Sequence, residues 1–416
     1  MKTIARILLL TTALLCSWQC MAVTNTWTQK ANFGGGAREG ASSFSIGAKG
    51  YVCSGLTTNA LNDLWEYDPV TNSWTQKANL PGLARVYGTG FTIGSYGYVG
   101  LGYNTFMLQD FWQYDPSANM WAAKATFPEL RAFSAGFNIG NKGYVSCGLS
   151  NSPPLGFRTD LWEYDPGTDT WIAKTPYPGN SGGTQAVGFG IGSKGYVYNN
   201  VLGEFYSYDQ SSDTWTQAAS IPSYASGGCA IGSVAYVNSA GIGFWQYTPL
   251  TDTWIQRASY AGSGVISGPG FGFVINSKYY SGGGLSGPSQ TEDFWEYDPT
   301  DCLGVIGGND LPGSACNDLD PCTVSDTWST LCVCTGTYTD TDSDGFCDAN
   351  DCDPNDPNVG GPFPWYQDTD GDGWGDQFGL IQCIGPSGWV TNNFDDCPNT
   401  PGLIGDPCDD GNPCTL

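Results

Sequence analysis

Between residues 40 and 300, apolar and polar positions alternate in short runs, and the runs come in sets. A set opens on an alternating, glycine-rich apolar stretch, as in residues 133–139, and passes through a short loop into a Gly-Tyr-Val segment. An Asp-Leu-Trp-Glu-Tyr segment follows, then a turn, then a last segment that opens on Trp. Runs of this length with period-two alternation, bounded by Gly, Asn, Asp and Pro, predict four short β-strands per set. The fullest copy, residues 63–81, reads DLWEYDPVTNSWTQKANLP; its first aromatic recurs as Trp65, Trp112, Trp162, Tyr206, Trp245 and Trp295. The second Trp recurs as Trp74, Trp121, Trp171, Trp215 and Trp254, but only DPTDCLG follows Trp295. At the other end Trp27, in NTWTQKANF, is a closing segment with no set before it. A ring in which the N-terminal strand completes the last set uses both halves.

The tyrosine of the Gly-Tyr-Val segment, read as Tyr51, Tyr98, Tyr144, Tyr196, Tyr236 and Tyr279, counts six sets independently. Four-stranded repeats of roughly 40 to 50 residues are the signature of propeller blades. The fold class expected is therefore all-β: a six-bladed propeller closed by an N-terminal strand. Asp-Pro pairs at Asp68, Asp115, Asp165 and Asp298 start the turn before the final strand, since Asp caps its own backbone and Pro presets φ. Repeats four and five relax this to Asp209-Gln210 and Thr248-Pro249.

Charge separates the chain into two parts. From residue 301 onward there are 21 Asp and no Glu, Lys or Arg, so this stretch holds most of the formal charge of −25. Such a field repels nucleic acid and anionic membrane surfaces and attracts divalent cations, which argues against nucleic-acid partners. Lys2, Arg6 and the apolar run 7–15 read as a signal peptide cleaved after Ala22, with a lipid anchor at Cys16 or Cys20 as the lesser alternative. A run of nine residues is too short to span a bilayer, and no other run is expected to insert. A secreted or cell-surface location follows, and it permits disulfides. Eleven cysteines fall after residue 300, whereas Cys53, Cys147 and Cys229 are scattered through the repeats as expected small core residues.

The spaced aromatics, Tyr-Asp-Pro and downstream Trp of residues 24–299 resemble the Kelch-repeat family. The paired glycines of that family are degraded here to Ser54-Gly55 and Cys147-Gly148, and kept at residues 282–284. The resemblance implies a propeller used mostly for binding. The galactose-oxidase relatives need histidines on copper, and this chain has no His, so that site and Ser-His-Asp chemistry are both excluded. Arg38, Arg85 and Arg131 precede the first strand of the first three blades. They read either as an arc for an anionic ligand, through bidentate guanidinium contacts, or as structural bonds to loop carbonyls between blades. The insertion 151–159 makes Phe157 and Arg158 further ligand candidates. Glu39, Glu66, Glu129, Glu163, Glu204 and Glu296 leave carboxylate-pair hydrolysis open in principle, but three of them share one repeat position on a strand, and no catalytic residue is assigned.

In the tail, Asp340, Asp342, Asp344, Gly345, Asp348 and Asp351 have the spacing of a calcium loop, with oxygens at positions 1, 3, 5, 9 and 12 and glycine at 6. Asp368, Asp370, Asp372, Gly373 and Asp376 repeat the first nine positions; Gly379 stands at the twelfth. No amphipathic helices flank them, so these are not EF-hands. DTDSDGFCDANDCDP resembles a thrombospondin type 3 repeat, and WYQDTDGDGWGD resembles Asp-rich motifs of bacterial surface proteins, together over residues 339–401. Calcium is the cofactor expected, with order depending on it. Cys302, Cys316 and Cys322 recur as Cys397, Cys408 and Cys414, which reads as a second copy of one module, with the chain expected to stop inside it. The organisation expected is a signal peptide (1–22), propeller (23–300), Cys-rich module (301–338), Asp-rich repeats (339–400) and the start of a second Cys-rich module (401–416). The function expected is non-catalytic adhesion: a propeller recognising an extracellular glycan or protein on a calcium-stabilised stalk. The alternatives are a carbohydrate-active enzyme with carboxylates at the propeller mouth, or a purely structural surface-layer component.

Overall fold

The computed structural model describes residues 25–153, 155–179, 186–199, 204–221, 225–239, 243–260, 270–369, 371, 373–375 and 379–393. The chain forms two compact units, Met1–Leu311 and Pro312–Leu416. Among the described residues there is no α-helix. Among them no helix is therefore long and apolar enough to cross a membrane.

The first unit contains six four-stranded antiparallel sheets among the described residues. In the first, Ser42–Ile46, Lys49–Leu56, Ala60–Asp68 and Ser73–Lys77 lie side by side in chain order. Four more sheets repeat this order. The sixth takes Phe271–Ile275, Lys278–Gly282 and Phe294–Asp298 from one end of the unit and Thr26–Gln29 from the other. Thr26 stands opposite Asp298 and Gln29 opposite Trp295. The first strand of each sheet lies against the first strands of its two neighbours, and the sixth lies against the first. The result is a propeller-type circle.

Alternation explains the burial. In Ser42–Ile46, Phe44 and Ile46 are buried against the next sheet, whereas Ser43 faces the other way and its hydroxyl bonds Gly272 of the sixth sheet. The register corrects one sequence reading. Tyr51 stands opposite Phe44 and Glu66, and the residue so placed in the sixth sheet is Tyr280, opposite Phe273 and Glu296. Tyr279 occupies the position that is glycine at Gly50, Gly97, Gly143 and Gly195. The Tyr-Tyr doublet hid this one-residue offset.

Adjacent sheets are tied by a recurring corner. Asn72, Asn119, Asp169, Asp213 and Asp252 stand two residues before the second Trp and have φ of 49–54°, a left-handed conformation that Asn and Asp tolerate better than most residues. Each accepts a bond from its own sheet's tyrosine, as Tyr67 Oη to Asn72 Oδ1 at 2.8 Å. Each also accepts the backbone N–H of the neighbouring sheet's outer segment, as Ala31 to Asn72 at 3.0 Å. The second Trp completes the link, with Trp74 Nε1 donating to Ala31 O at 3.2 Å and equivalents at Trp121, Trp171, Trp215 and Trp254. Asn25 and Trp27 supply the same pair of contacts to Ala258, with Tyr297 donating to Asn25. At about 1 kcal/mol net per hydrogen bond, the circuit adds to the hydrophobic contacts between sheets a term that depends on every corner being filled.

The second unit is built from short pieces. Thr323–Trp328 pairs with Cys334–Tyr338, and Phe363–Gln367 pairs with both Gly379–Gln382 and Trp389–Val390. Disulfides join Cys316 to Cys334, Cys322 to Cys347 and Cys352 to Cys383; Cys332 is also disulfide-bonded. Covalent links stand where a small unit lacks core.

Candidate functional site

Arg38, Arg85 and Arg131 are at most 1% exposed. Each forks onto an aspartate: Arg38 onto Asp63 at 2.7 and 2.9 Å, Arg85 onto Asp110 at 2.8 and 2.7 Å, Arg131 onto Asp160 at 2.8 Å twice. Each also donates to a carbonyl, of Ser54, Leu101 and Cys147 respectively. Ser54 and Cys147 stand where paired glycines were expected, Leu101 holds the matching place in the second sheet, and all three have φ of 60–67°, so the arginine braces a strained corner. The glycine after each has no such substitute, because a Cβ on Gly148 would lie 2.6 Å from the carbonyl of Ala132. Of the two readings open for the arginines, their geometry is the structural one, except that the partners lie within each arginine's own repeat rather than between blades, and their side chains are closed to a solvent-borne ligand. The aspartates had gone unnoticed as partners; the signal was present two residues before Trp65, Trp112 and Trp162, whose indoles also bond them. Burial pushes the Asp110 carboxyl up, but Arg85 more than offsets this and leaves it below the usual range.

Phe157 lies in a two-residue strand, Gly156–Phe157, paired with Leu149–Ser150. Arg158 is paired with Glu129, which also binds Arg131. The Arg158 bond and then Arg131, against some desolvation, hold the Glu129 carboxyl down at about 2. Glu66, Glu163 and Glu296 each accept from a tyrosine, at 2.6, 2.6 and 2.5 Å, and each meets a lysine. Cys53, Cys147 and Cys229 are buried free thiols, and burial pushes the first two up to about 12.

The concave surface of the unit lies along the axis. All six first strands line a cavity of about 160 Å³ whose walls are mainly glycines and hydroxyls, including Ser42, Ser43, Thr89, Ser134, Ser226 and Tyr279, together with Asn238 and the apolar Ala41, Ala186, Val187 and Phe271. No charged side chain lines it among the described residues. Its neighbour toward the strand starts, of about 100 Å³, is bounded by Tyr87 and Phe133. These rings stack at 4.2 Å, and both residues have positive φ, 56° and 61°. Bulky side chains rarely adopt that conformation. A backbone chain holds them there: Tyr87 N donates to Gly40 O at 2.8 Å and Phe133 N to Tyr87 O at 3.1 Å. Sequence reasoning missed both rings, since aromatic residues in an apolar run look like core.

In the second unit, oxygens of Asp340, Asp342 and Asp344 all lie within 4.8 Å of one another. Ligands on opposite sides of a calcium ion are at most about 5 Å apart, so the three fit one hard cation. Asp342 Oδ2 has no protein partner. Desolvation, then Asp344, Asp351 and Asp340, push the Asp342 carboxyl up. Asp348 turns instead to Thr341, accepting its N–H and hydroxyl at 2.8 and 2.9 Å. The second loop repeats the first turn: Asp340 accepts Ser343 N and Gly345 N, and Asp368 accepts Gly371 N and Gly373 N. Asp370, Asp372 and Asp376 lie outside the described residues.

Residues 51–81 match the family model described as the Kelch motif. Among solved structures, the chain is similar to one described as the structure of YjhT, at 17% identity and a TM-score of 0.53, over 62% of this chain and 94% of that one. No curated protein matches it. The chain therefore carries a Kelch motif on a fold of the Kelch-propeller type.

Proposed function

We propose that this chain is an exported, non-catalytic binding protein, in which a six-bladed Kelch-type propeller recognises a glycan or protein and the Asp- and Cys-rich unit serves as a calcium-stiffened stalk. The observation that carries the reading is the aromatic pair at the axial mouth, held in a backbone conformation that packing alone would avoid. Rigid aromatic faces beside a polar cavity are recognition chemistry. The absence of histidine and the engagement of Glu66, Glu163 and Glu296 with tyrosine and lysine support binding over hydrolysis. In the stalk, Asp340, Asp342 and Asp344 would hold calcium, whose charge removes the repulsion among them. The disulfides of that unit accord with an oxidising, extracellular setting.

The test is an array of glycans and matrix proteins probed with residues 23–416 and 23–311, in calcium and in chelator. The shorter piece ends at 311 because Gly307 and Gly308 accept bonds from Arg257, which joins residues 301–311 to the fifth sheet. Binding by 23–311 in chelator is the expected result. Binding that requires both the tail and calcium would move recognition to the acidic unit and sink the stalk assignment.

A further inference from the structure

One seam of the ring differs from the rest. Between most neighbouring sheets a phenylalanine of one first strand rests on a glycine of the next sheet. A Cβ on Gly97, Gly143, Gly195 or Gly50 would lie 2.1–2.3 Å from Phe44, Phe91, Phe137 or Phe273. Between the fifth and sixth sheets the knob and the hole are exchanged: Cys229 replaces the phenylalanine and Tyr279 replaces the glycine, and the two share one buried cluster. The Tyr279 ring fills the room that the small thiol leaves, stacked on Phe244 at 5.8 Å. Its hydroxyl thereby reaches the axial cavity of about 160 Å³.

There it meets Asn238, whose Nδ2 donates to Tyr279 Oη at 3.1 Å and to Ser281 Oγ at 3.0 Å. Both amide hydrogens are then used, and Oδ1 has no partner although Asn238 is 6% exposed. With the amide turned over, the nitrogen would be the orphan instead, so one polar atom lacks a partner either way. Ser42 lines the same cavity, is 3% exposed, and its Oγ is also without a partner. Buried polar atoms are nearly always satisfied, so two orphans on one cavity mark a place that a further molecule completes.

We propose that this cavity binds a single uncharged, hydroxyl-rich residue: a free monosaccharide or polyol, or the end residue of a glycan. This deepens the glycan reading above and rests on it. Hydroxyls both donate and accept, so they satisfy Asn238 in either orientation as well as Ser42. The cavity offers no counter-charge among its described lining residues, which disfavours acids and amines. The mouth at Tyr87 and Phe133 gives apolar faces against which a sugar ring can lie on its way in.

The experiment measures binding to the exported chain, residues 23–416, by calorimetry and ligand-observed NMR. The probes are neutral aldohexoses and N-acetylhexosamines, free and as end residues of oligosaccharides, with hexuronic acids and hexosamines as charged comparisons. Ser42→Ala and Tyr279→Phe are the variants, because the first removes no protein hydrogen bond and the second keeps the ring that fills the seam. Each is expected to weaken binding of a neutral probe by about tenfold, the scale of one hydrogen bond, with an unchanged melting curve for Ser42→Ala and a slightly lowered one for Tyr279→Phe, which gives up the bond from Asn238. Preference for the oligosaccharide over the free sugar identifies a glycan end as the natural occupant. Neutral-sugar binding that neither variant weakens would overturn the assignment of this cavity while leaving the propeller a glycan binder. Failure of every sugar, with only waters on Asn238 and Ser42 in a crystal structure, would overturn it also, and array binding to proteins alone would overturn the glycan reading beneath it.

Discussion

A buried guanidinium is tolerated when its charge is answered, and the terminal nitrogens of Arg38, Arg85 and Arg131 meet an aspartate and a strained carbonyl, while the Nε of Arg38 and of Arg131 has no partner. Removing the cation strands both acceptors. Arg85→Ala is expected to destabilise the first unit by about 3–5 kcal/mol, the usual result of breaking one side of a buried pair, read as a fall in the urea midpoint; a loss below about 1 kcal/mol would mean that the fork contributes no more than a surface ion pair. Arg158 sits at a more open site and titration there reads differently. The folded-state carboxyl of Glu129 is lowered to about 2, below an ordinary glutamate. Its stabilising contribution is therefore complete above the ordinary carboxylate range and is lost as pH falls toward the folded value. The stability of the protein should drop between about pH 5 and pH 2.5, and the drop should be smaller in Glu129→Gln; equal drops in urea melts of the two proteins would refute the linkage. The repeat positions of the arginines were legible from sequence spacing. Their role was not, because spacing does not say which way a side chain faces or what meets it.

At the level of strands, most of the architecture was readable, because a period of two and a turn residue are local signals. The pairing of Thr26–Gln29 with Phe294–Asp298 spans the unit, yet it too was legible, since an incomplete first copy and an incomplete last copy make one whole. What lay beyond reach was the exchange at Cys229 and Tyr279, in which two departures from the repeat compensate each other across a seam that no sequence window contains. Deleting residues 25–31 removes Asn25, Trp27 and their bonds to Ala258 along with the strand. The remaining Phe294–Asp298 becomes a bare edge, which invites pairing between chains. The expected outcome is a lowered melting temperature and aggregation in light scattering; a monomer with an unchanged melting curve would show that the strand is dispensable.

For the molecule as a whole, charge and apolar content divide along the chain as the two compact units do. The first unit holds itself together by aromatic contacts between sheets, whereas the second relies on disulfides and carries the calcium-type spacing. That contrast was visible in composition, while the axial cavity was not: its lining comes from all six sheets, and its residues are mostly glycine and serine, which advertise nothing. The pairing that completes the sixth sheet also decides how the ring would bear a load. Phe294–Asp298 is the last strand before the chain leaves the ring, and it is hydrogen-bonded on both sides, by Lys278–Gly282 and by Thr26–Gln29. A pull transmitted through the residues that follow must shear two ladders at once, where an outermost strand could be peeled from one. The first residues of the ring thus act as a mechanical fastening for whatever the last ones are tethered to.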